Sequence, residues 1–481
     1  MPAAKEFYVA IELGSSKITG IAGQKKVDGS VTILATATEP GALCIRRGVV
    51  YNIDKTNQCI RNIIQKLQNQ LQTEITLVHV GIGGQGVYSL VNTLATDFDE
   101  ATVVSHNIID RMMDSNRATR YANKTILDVA PQEFKVDSQF QLDPVGIECN
   151  RVEGNFLNIV WRDSFCRNLY KCFEQPGMPE PRYYLAPMSL ADSVLSDSER
   201  RGGCVLVDLG AGTTTVSIYY KNILRHMATV PMGGWNITKD ITSFHIDDVE
   251  AEKLKLKHAS ACTNPKDVDA ATMYPIDQQR SIPQRDFVSI VEARVEEIVK
   301  NAIAQIPSDY VDKLPGGIIL TGGGANMKNM EQAFRQYSNI DKVRIAKTIN
   351  ASVNYAKGVT IADDSTLCTA ISLLLKADQK SSGRPMSEIH NLFGQATAAS
   401  QDPSTPRPLN EVKAGQVPTG REREAAEEEA RRKAEEEERL KAEEEARKAE
   451  EEERLRKEKA LPTRIKKGLI NIFNVLTKPE E

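Results

Sequence analysis

Three glycine-rich turns, each following a short apolar run, hold the residues of this 481-residue chain that are best suited to bind a phosphate-bearing ligand. The first turn follows Tyr8–Leu13 and contains Gly14, Ser15, Ser16 and Lys17. Glycine and serine leave room for close approach, so the backbone amides of this turn can face phosphate oxygens. Taken alone, the segment is more typical of an ordinary β-hairpin with a polar turn.

The second turn repeats the first about 196 residues later, within residues 203–218. Its apolar run ends in Asp208, an acid that can hold Mg²⁺ through water while neighbouring amides and hydroxyls bind phosphate. The turn that follows contains Gly210, Gly212, Thr213 and Thr214. Because one unit recurs in both halves of the chain, we expect two related lobes that face each other across a ligand.

The third turn follows an apolar run at residues 316–321 and contains Gly322, Gly323 and Gly324, with Asn326 shortly after. Three consecutive glycines let the backbone lie flat against a base or a ribose, where any Cβ would collide. By itself this is also the pattern of a simple strand-to-helix turn. Together the three turns predict a cradle for a nucleotide.

Composition divides the chain into a body and a tail. From about Lys5 to Ala377, β-branched runs alternate with amphipathic helical stretches and glycine turns, which is typical of an α/β fold. Residues 378–420 are rich in Ser, Pro, Gln, Ala and Gly, and this composition predicts a disordered linker. The eight cysteines never take a C-x-x-C spacing, so neither a zinc site nor a redox pair is indicated.

The net charge says little about partners, whereas hydropathy argues against a secretory signal and against a membrane-spanning helix. The net charge is only −4, and the first residues lack the charged and apolar regions of a secretory signal. The chain has no apolar run of the roughly 18–20 residues that a membrane-spanning helix needs. Any contact with a membrane is therefore expected to be peripheral.

Residues 421–460 form a segment with 30 charged residues, of which 17 are acidic and 13 basic. Acids repeatedly precede bases by four residues, as in Glu427 with Arg431 and Glu428 with Arg432. Each such pair adds about 0.2–0.5 kcal/mol to an isolated helix. The segment predicts a solitary charged helix that acts as a spacer, and a disordered charged tail is the alternative. The excess of acids argues against a nucleic-acid-binding arm.

The last segment, residues 463–478, has the pattern of an amphipathic helix. Five large apolar residues recur at i, i+4, i+7, i+8 and i+11 and fall on one stripe of this helix: Ile465, Leu469, Ile472, Phe473 and Leu476. Lys466 and Lys467 lie on the flank, where bases favour anionic headgroups by about 1 kcal/mol each. We expect this helix to lie in a lipid interface, the alternative being a helix packed on its own body.

The three turns resemble those of the actin, sugar kinase and heat-shock chaperone ATPase superfamily. The shared pattern is an acid with Gly-x-Ser, then Asp-Leu-Gly-x-Gly-Thr-Thr, then Thr-Gly-Gly-Gly. Glu12, in place of the usual Asp, is similar to the FtsA family of bacterial division proteins. Four further segments carry the same resemblance: Pro131–Phe134, Asn150–Val152, Pro231–Ile241 and Val249–His258. The resemblance covers about residues 5–377 and returns in the terminal helix, whereas the charged spacer is long for the family.

The resemblance implies ATP with Mg²⁺ as the ligand and assigns roles to the residues of the turns. The phosphates would contact Gly14, Ser15, Ser16, Gly210, Gly212 and Thr213. Glu252 and Lys255 would touch ribose and adenine, and Gly322, Gly323 and Gly324 the adenosine, while Asp208 would position Mg²⁺. The wider binding set also takes in Lys17, Thr214, Gly233, Gly234 and Asn326.

The resemblance also implies a two-lobe, actin-like α/β fold built from duplicated RNase H-like domains. Lobe 1 would comprise residues 5–85, 159–201 and 356–377, and lobe 2 residues 202–243 and 309–355. Residues 86–158 would form an extra subdomain used between neighbouring protomers. Residues 244–308 would be an insertion that receives the tail of FtsZ. Arg294 and Glu297 sit at matching positions, although an ordinary solvated helix face has the same pattern.

The implied function is that of an ATP-binding cell division protein. It would polymerise and tether FtsZ filaments of the Z ring to the inner face of the cytoplasmic membrane at the septum. Expected partners are the FtsZ C-terminal tail, further copies of the chain, anionic lipids and other division proteins, and nucleic acid is not expected. The alternatives are a sugar kinase, a chaperone-like ATPase or a pilus-assembly actin-like protein.

Hydrolysis of ATP is left uncertain by the sequence, and no catalytic residue is assigned. Related filament ATPases carry a water-activating acid in a Glu-Pro-x-Ala segment, where this chain has Ala186-Pro187-Met188-Ser189. A missing proton-transfer group typically lowers a rate by about 10²–10⁴. We therefore expect weak or no ATPase activity.

Overall fold

The computed structural model describes residues 6–269, 271–277, 280–359, 364–385, 413–433, 435 and 439. These residues belong to two units. The first unit takes in the described residues up to 385 together with 413–418, and the second begins at Thr419. In the part of the chain that the structure describes, no helix is both long and apolar enough to span a bilayer.

The sheet of lobe 1 has seven strands in the order β20-β3-β2-β1-β7-β12-β22. Its strands are β1 Tyr8–Leu13, β2 Lys17–Lys25, β3 Val31–Pro40, β7 Leu77–Ile82, β12 Glu180–Leu185, β20 Val353–Tyr355 and β22 Gln416–Val417. Strand β1 is antiparallel to β2 and parallel to β7. Four helices accompany this sheet: α1 Ile53–Leu71, α3 Asp163–Phe173, α4 Ala186–Val194 and α10 Cys368–Lys376. Helix α1 begins where the Asn52 side chain accepts a hydrogen bond from the Lys55 amide.

Lobe 2 repeats this topology. Its strands are β13 Cys204–Leu209, β14 Thr214–Tyr220, β15 Ile223–Val230, β18 Gly317–Thr321 and β19 Val343–Ile345. Strand β13 is antiparallel to β14 and parallel to β18, as β1 is to β2 and β7. The helices of this lobe are α5 Asp197–Gly202, α6 Gly234–Ile241, α7 Asp248–His258, α8 Gln284–Ile303 and α9 Met330–Ser338. The duplicated, two-lobe α/β fold predicted from the repeated turns is therefore confirmed.

An inserted subdomain lies between β7 and α3 in the chain and has its own small apolar core. Its elements are β8 Tyr88–Val103, α2 His106–Arg117, β9 Lys124–Val136, β10 Gln139–Gln141 and β11 Glu148–Arg162. Although the insertion interrupts lobe 1 in sequence, β8 pairs with β15 of lobe 2 through Tyr88 and Ala228. The insertion and lobe 2 consequently share one nine-stranded sheet, in the order β10-β9-β11-β8-β15-β14-β13-β18-β19.

Six further short strands make two-stranded pairings. They are β4 Ile45–Arg46 with β5 Val49–Val50, β6 Thr73–Ile75 with β21 Ser382–Pro385, and β16 Met273–Pro275 with β17 Ser281–Pro283. Strands β21 and β22 lie inside the predicted linker, residues 378–420, so the described parts of that range are ordered, in contrast to the prediction. Composition did not reveal them because a strand at a sheet edge is held by backbone hydrogen bonds, which need few apolar side chains.

The charged tail is helical over residues 420–433. Exposed pairs four residues apart line this helix, among them Arg432 with Glu428 at 2.8 Å and Arg431 with Glu435 at 3.1 Å. The prediction of a charged helix is borne out over these residues. Most of its remainder, and the amphipathic segment 463–478, lie outside the described residues.

Candidate functional site

The first glycine turn connects β1 to β2. A Cβ added to Gly14 would lie 2.5 Å from the Lys17 carbonyl oxygen, so the tight turn requires glycine at this position. Ser15 is buried, and its Oγ accepts a hydrogen bond of 2.8 Å from the Gly48 amide. Ser16 and Lys17 are exposed. The hydrogen bond from Gly48 thus holds the turn in place, while the exposed Ser16 and Lys17 remain accessible to a ligand.

The second turn, between β13 and β14, has the same construction. The Gly210 amide donates to the Thr213 carbonyl oxygen at 2.9 Å, and a Cβ on Gly210 would lie 2.9 Å from that oxygen. The side chain of Thr214, which is also predicted to contact the ligand, is fully buried, and its hydroxyl donates to the Met232 carbonyl oxygen at 3.0 Å. Thr214 therefore holds the neighbouring loop in place.

The first and second turns meet between the two lobes. A Cβ added to Gly212 would lie 2.7 Å from Ser15 Oγ and 3.1 Å from Arg47 Cα. Real Cβ atoms essentially never lie within 3.0 Å of such a neighbour, so any other residue at position 212 would force Ser15 or its own turn to shift. The two turns that repeat each other in the sequence are therefore also in contact in the structure.

Two carboxylates stand beside this pairing, at equivalent places in the two lobes. Glu12 pairs with Thr19 across the first hairpin, and Asp208 pairs with Thr215 across the second. Burial raises the pKa of Glu12 to about 8, with a further contribution from the charge of Asp208 and an opposing one from Lys17. Burial also raises the pKa of Asp208 to about 6. Within the described residues, no cluster of three or more His, Cys, Asp or Glu side chains is placed to hold a metal by itself.

The third turn packs directly on the second. Gly322 has a φ of +84°, and a Cβ there would lie 2.3 Å from Asp208 Oδ1. Ser365 was not predicted from the sequence to belong to the site. Its Oγ donates to the Gly322 carbonyl oxygen at 2.7 Å and also lies 3.2 Å from Asn326 Oδ1. The signal that could have located Ser365 is Asp364, whose side chain accepts a hydrogen bond from the Thr366 amide before α10.

Helices α6 and α7 bring the remaining predicted residues to the second turn. The Gly234 amide donates to the Gly210 carbonyl oxygen at 3.0 Å, and a Cβ on Gly233 would lie 2.4 Å from the same oxygen. Lys255 Nζ donates to the Gly234 carbonyl oxygen at 3.0 Å and to Glu252 Oε2 at 2.7 Å. These hydrogen bonds connect two separate segments of the predicted site, Gly233 and Gly234 at the start of α6 and Glu252 and Lys255 on α7.

The predicted partner residues Arg294 and Glu297 lie side by side on α8 and form an ion pair. Arg294 also binds both carboxylate oxygens of Asp240 on α6, with an Nη2–Oδ1 distance of 3.1 Å. The hydrogen bond to Asp240 raises the pKa of the Arg294 guanidinium. The predicted membrane residues Ile465, Lys466, Lys467, Leu469, Ile472, Phe473 and Leu476 lie outside the described residues.

Ala186 is the first residue of α4, directly after β12. A Cβ placed on Gly81 of β7 would lie 3.4 Å from Ala186 Cβ, so the methyl group faces the end of this strand. Ala186, the residue that the sequence resemblance places at the position of the water-activating acid, therefore presents an apolar side chain.

Two duplicated lobes whose glycine turns meet over paired carboxylates define an actin-like protein. The fold is similar to that of a solved chain of the PilM-PilN type IV pilus biogenesis complex, with a TM-score of 0.54 at 13% identity, over 77% of this chain and 98% of that one. A family model for cell division protein FtsA matches residues 205–372, and a model for the SHS2 domain inserted in FtsA matches residues 84–160.

Curated relatives point to the same family. The chain is 30% identical over 431 residues to cell division protein FtsA of Porphyromonas gingivalis, covering 88% of each chain. It is 28% identical over 329 residues to FtsA of Bacillus subtilis, covering 67% of this chain and 74% of that one. The chain belongs to the FtsA family of actin-like cell division proteins, as Glu12 and the four further segments that resemble this family predicted.

Proposed function

We propose that this protein binds ATP with Mg²⁺, assembles with further copies of itself, and tethers FtsZ filaments to the inner face of the cytoplasmic membrane at the division site. One observation carries the proposal of a nucleotide site: three glycine turns from distant parts of the chain converge on the carboxylates of Glu12 and Asp208. Membership of a cell division family supports the cellular role.

The residues present fit Mg-ATP. The turns at 14–17 and 210–213 offer backbone amides and small side chains to the phosphates, while Lys17 adds a positive charge. The two carboxylates are desolvated together, and a divalent cation held through water at Asp208 would compensate that cost. The third turn, with Glu252 and Lys255, would face the adenosine.

ATP acts in this proposal mainly as a clamp between the lobes. The methyl group of Ala186 cannot orient or deprotonate an attacking water, so phosphate binding is retained without a general base. Bound nucleotide would bridge the turns of lobe 1 and lobe 2 and favour one arrangement of the lobes. Self-association would then depend on nucleotide more than on hydrolysis.

The tail and helix α8 supply the tethering part of the proposal. The apolar stripe from Ile465 to Leu476, with Lys466 and Lys467 beside it, suits a reversible contact with anionic lipid. One such helix binds weakly, so many anchors on one filament would act together through avidity. Any carboxylate of the FtsZ tail that binds Arg294 would have to compete with Asp240, which favours weak and reversible capture.

Two measurements on the full chain test the proposal. Calorimetry with Mg-ATP should show one site that is lost in Asp208→Ala and retained in the exposed control Asp97→Ala; wild-type affinity in Asp208→Ala would refute the site. Pelleting with anionic liposomes should be lost on deletion of residues 463–481 while ATP binding persists. Equal pelleting of the truncated chain would refute the anchor.

A further inference from the structure

The last strand of the lobe 1 sheet comes from the tail. Strand β22 pairs antiparallel with β12, with Gln416 opposite Tyr184 and Val417 opposite Tyr183. Residues 386–412, which separate this strand from β21, lie outside the described residues. The segment 413–418, called the strap below, thus returns to the body and completes the sheet as an edge strand.

Specific contacts hold the strap. The Leu185 amide donates to the Gly415 carbonyl oxygen at 2.7 Å, and the Gly415 amide donates to Asp128 Oδ2 at 2.7 Å. Gly415 has a φ of +82°, which lets its amide turn toward Asp128 while its carbonyl group faces β12. Val417 is 1% exposed. Backbone pairing gives the strap its affinity, and the buried Val417 and the Asp128 contact give it register.

Docking of the strap also has unfavourable free-energy contributions, from the body and from the strap itself. Asp128, on β9 of the inserted subdomain, is buried beside the strap, and burial raises its pKa to about 6 despite the hydrogen bonds from the Gly415 and Val129 amides. Gln416 is buried, and its Oε1 finds no hydrogen-bond donor in the described part of the chain. Ordering an extended segment adds a cost in conformational entropy. Release of the strap would remove a single edge strand from the sheet, because among the described strands β22 pairs only with β12.

We propose that the edge of β12, with Asp128 beside it, is a docking site for an extended peptide, and that its occupant is this chain's own strap, bound in cis and releasable. Docking fixes the point at which the tail leaves the body. Immediately after the strap, Thr419 and Glu422 cap one another and begin the helix over 420–433. With the strap docked the chain leaves the lobe 1 sheet after residue 418, and with the strap released it would leave after β21, which ends at residue 385. The docking site is independent of the proposed function. The effect of docking on the reach of a membrane anchor, however, rests on the proposed function.

Hydrogen exchange on the full chain tests the docking. The variant Val417→Asp places a charge in the buried position, and Ala414→Asp places the same charge at an exposed position of the same segment. Exchange at the Leu185 amide should rise at least about tenfold in Val417→Asp and stay unchanged in Ala414→Asp. Equal exchange in the two variants would overturn the proposal. In the wild type, protection that falls on dilution would show a strap from a second copy and overturn the cis assignment.

A peptide competition gives a second readout. A fluorescent peptide of residues 411–419 should bind the full Val417→Asp chain, whose site is vacated, and not the wild type at the same concentrations. The matched peptide carrying Val417→Asp should bind neither. Binding of the first peptide to neither chain, or equally to both, would refute the site. These measurements need neither nucleotide nor lipid, so they can succeed where the proposed function fails, and the reverse.

Discussion

A buried ion pair fastens the inserted subdomain to lobe 2, and its removal should be costly. The guanidinium of Arg225 on β15 binds both oxygens of Glu133 on β9, at 2.6 and 2.7 Å. The Arg225 side chain is only 4% exposed and that of Glu133 is 26% exposed. Removing one partner of a buried pair costs about 3–5 kcal/mol, because the other charge stays behind without compensation. Since water reaches part of Glu133, we expect Glu133→Ala to lose about 3 kcal/mol.

An exposed pair in the same subdomain is the matched control. Arg151 binds Asp97 at 2.8 Å, but the two side chains are 48% and 69% exposed. Such pairs contribute less than about 1 kcal/mol, so Asp97→Ala should have little effect. The double variant Glu133→Ala/Arg225→Met should recover part of the loss, because it removes the stranded charge.

Urea unfolding can report this loss locally. Trp161 lies buried on β11, and replacing Trp235 by Phe leaves it as the single tryptophan. The free energy of unfolding followed by Trp161 fluorescence at neutral pH should fall by about 3 kcal/mol in Glu133→Ala. If Glu133→Ala and Asp97→Ala shift the transition equally, the pair does not hold the subdomain and the reasoning is wrong.

Three further predictions concern the cleft, an acid-sensitive pair and the core of lobe 2. Gly212→Ala should weaken ATP binding at least about tenfold by calorimetry, because the new Cβ collides with Ser15, whereas Gly202→Ala has room and should bind as the wild type does. Burial raises the pKa of Glu199, but the hydrogen bonds from Arg344 lower it by more and hold it at about 2. The ion pair therefore contributes fully to the free energy of unfolding above the unfolded pKa near 4.5. This contribution is lost as the pH falls toward 2. Melting temperatures should show this loss in the wild type and a smaller one in Arg344→Met. Phe287→Ala should cost about 3–5 kcal/mol of unfolding free energy, since Phe287 is fully buried, and a melting temperature unchanged from the wild type would contradict this.

Much of the candidate site could be read from the sequence because its turns are local. A glycine turn between two short strands is specified by a few neighbouring residue types, and the repeat of the Glu12 turn at Asp208 revealed the duplication. The charged helix was equally readable, since its stabilising pairs lie four residues apart. In both cases the interacting atoms are close in sequence, so spacing alone predicts the contact.

Contacts between distant segments were decided only by the tertiary structure. Nothing in the composition of residues 378–420 indicated that Gly415 would turn toward Asp128, because edge pairing uses backbone groups that every residue carries. The pairing of Tyr88 with Ala228, which attaches the insertion to lobe 2, is likewise invisible in the order of the chain. The hydrogen bond from the Thr214 hydroxyl to the Met232 carbonyl oxygen, 18 residues away in the chain, likewise has no signal in the local sequence. The sequence by itself determined which turns form; where each one meets the next depended on the packing of two lobes and a returning tail.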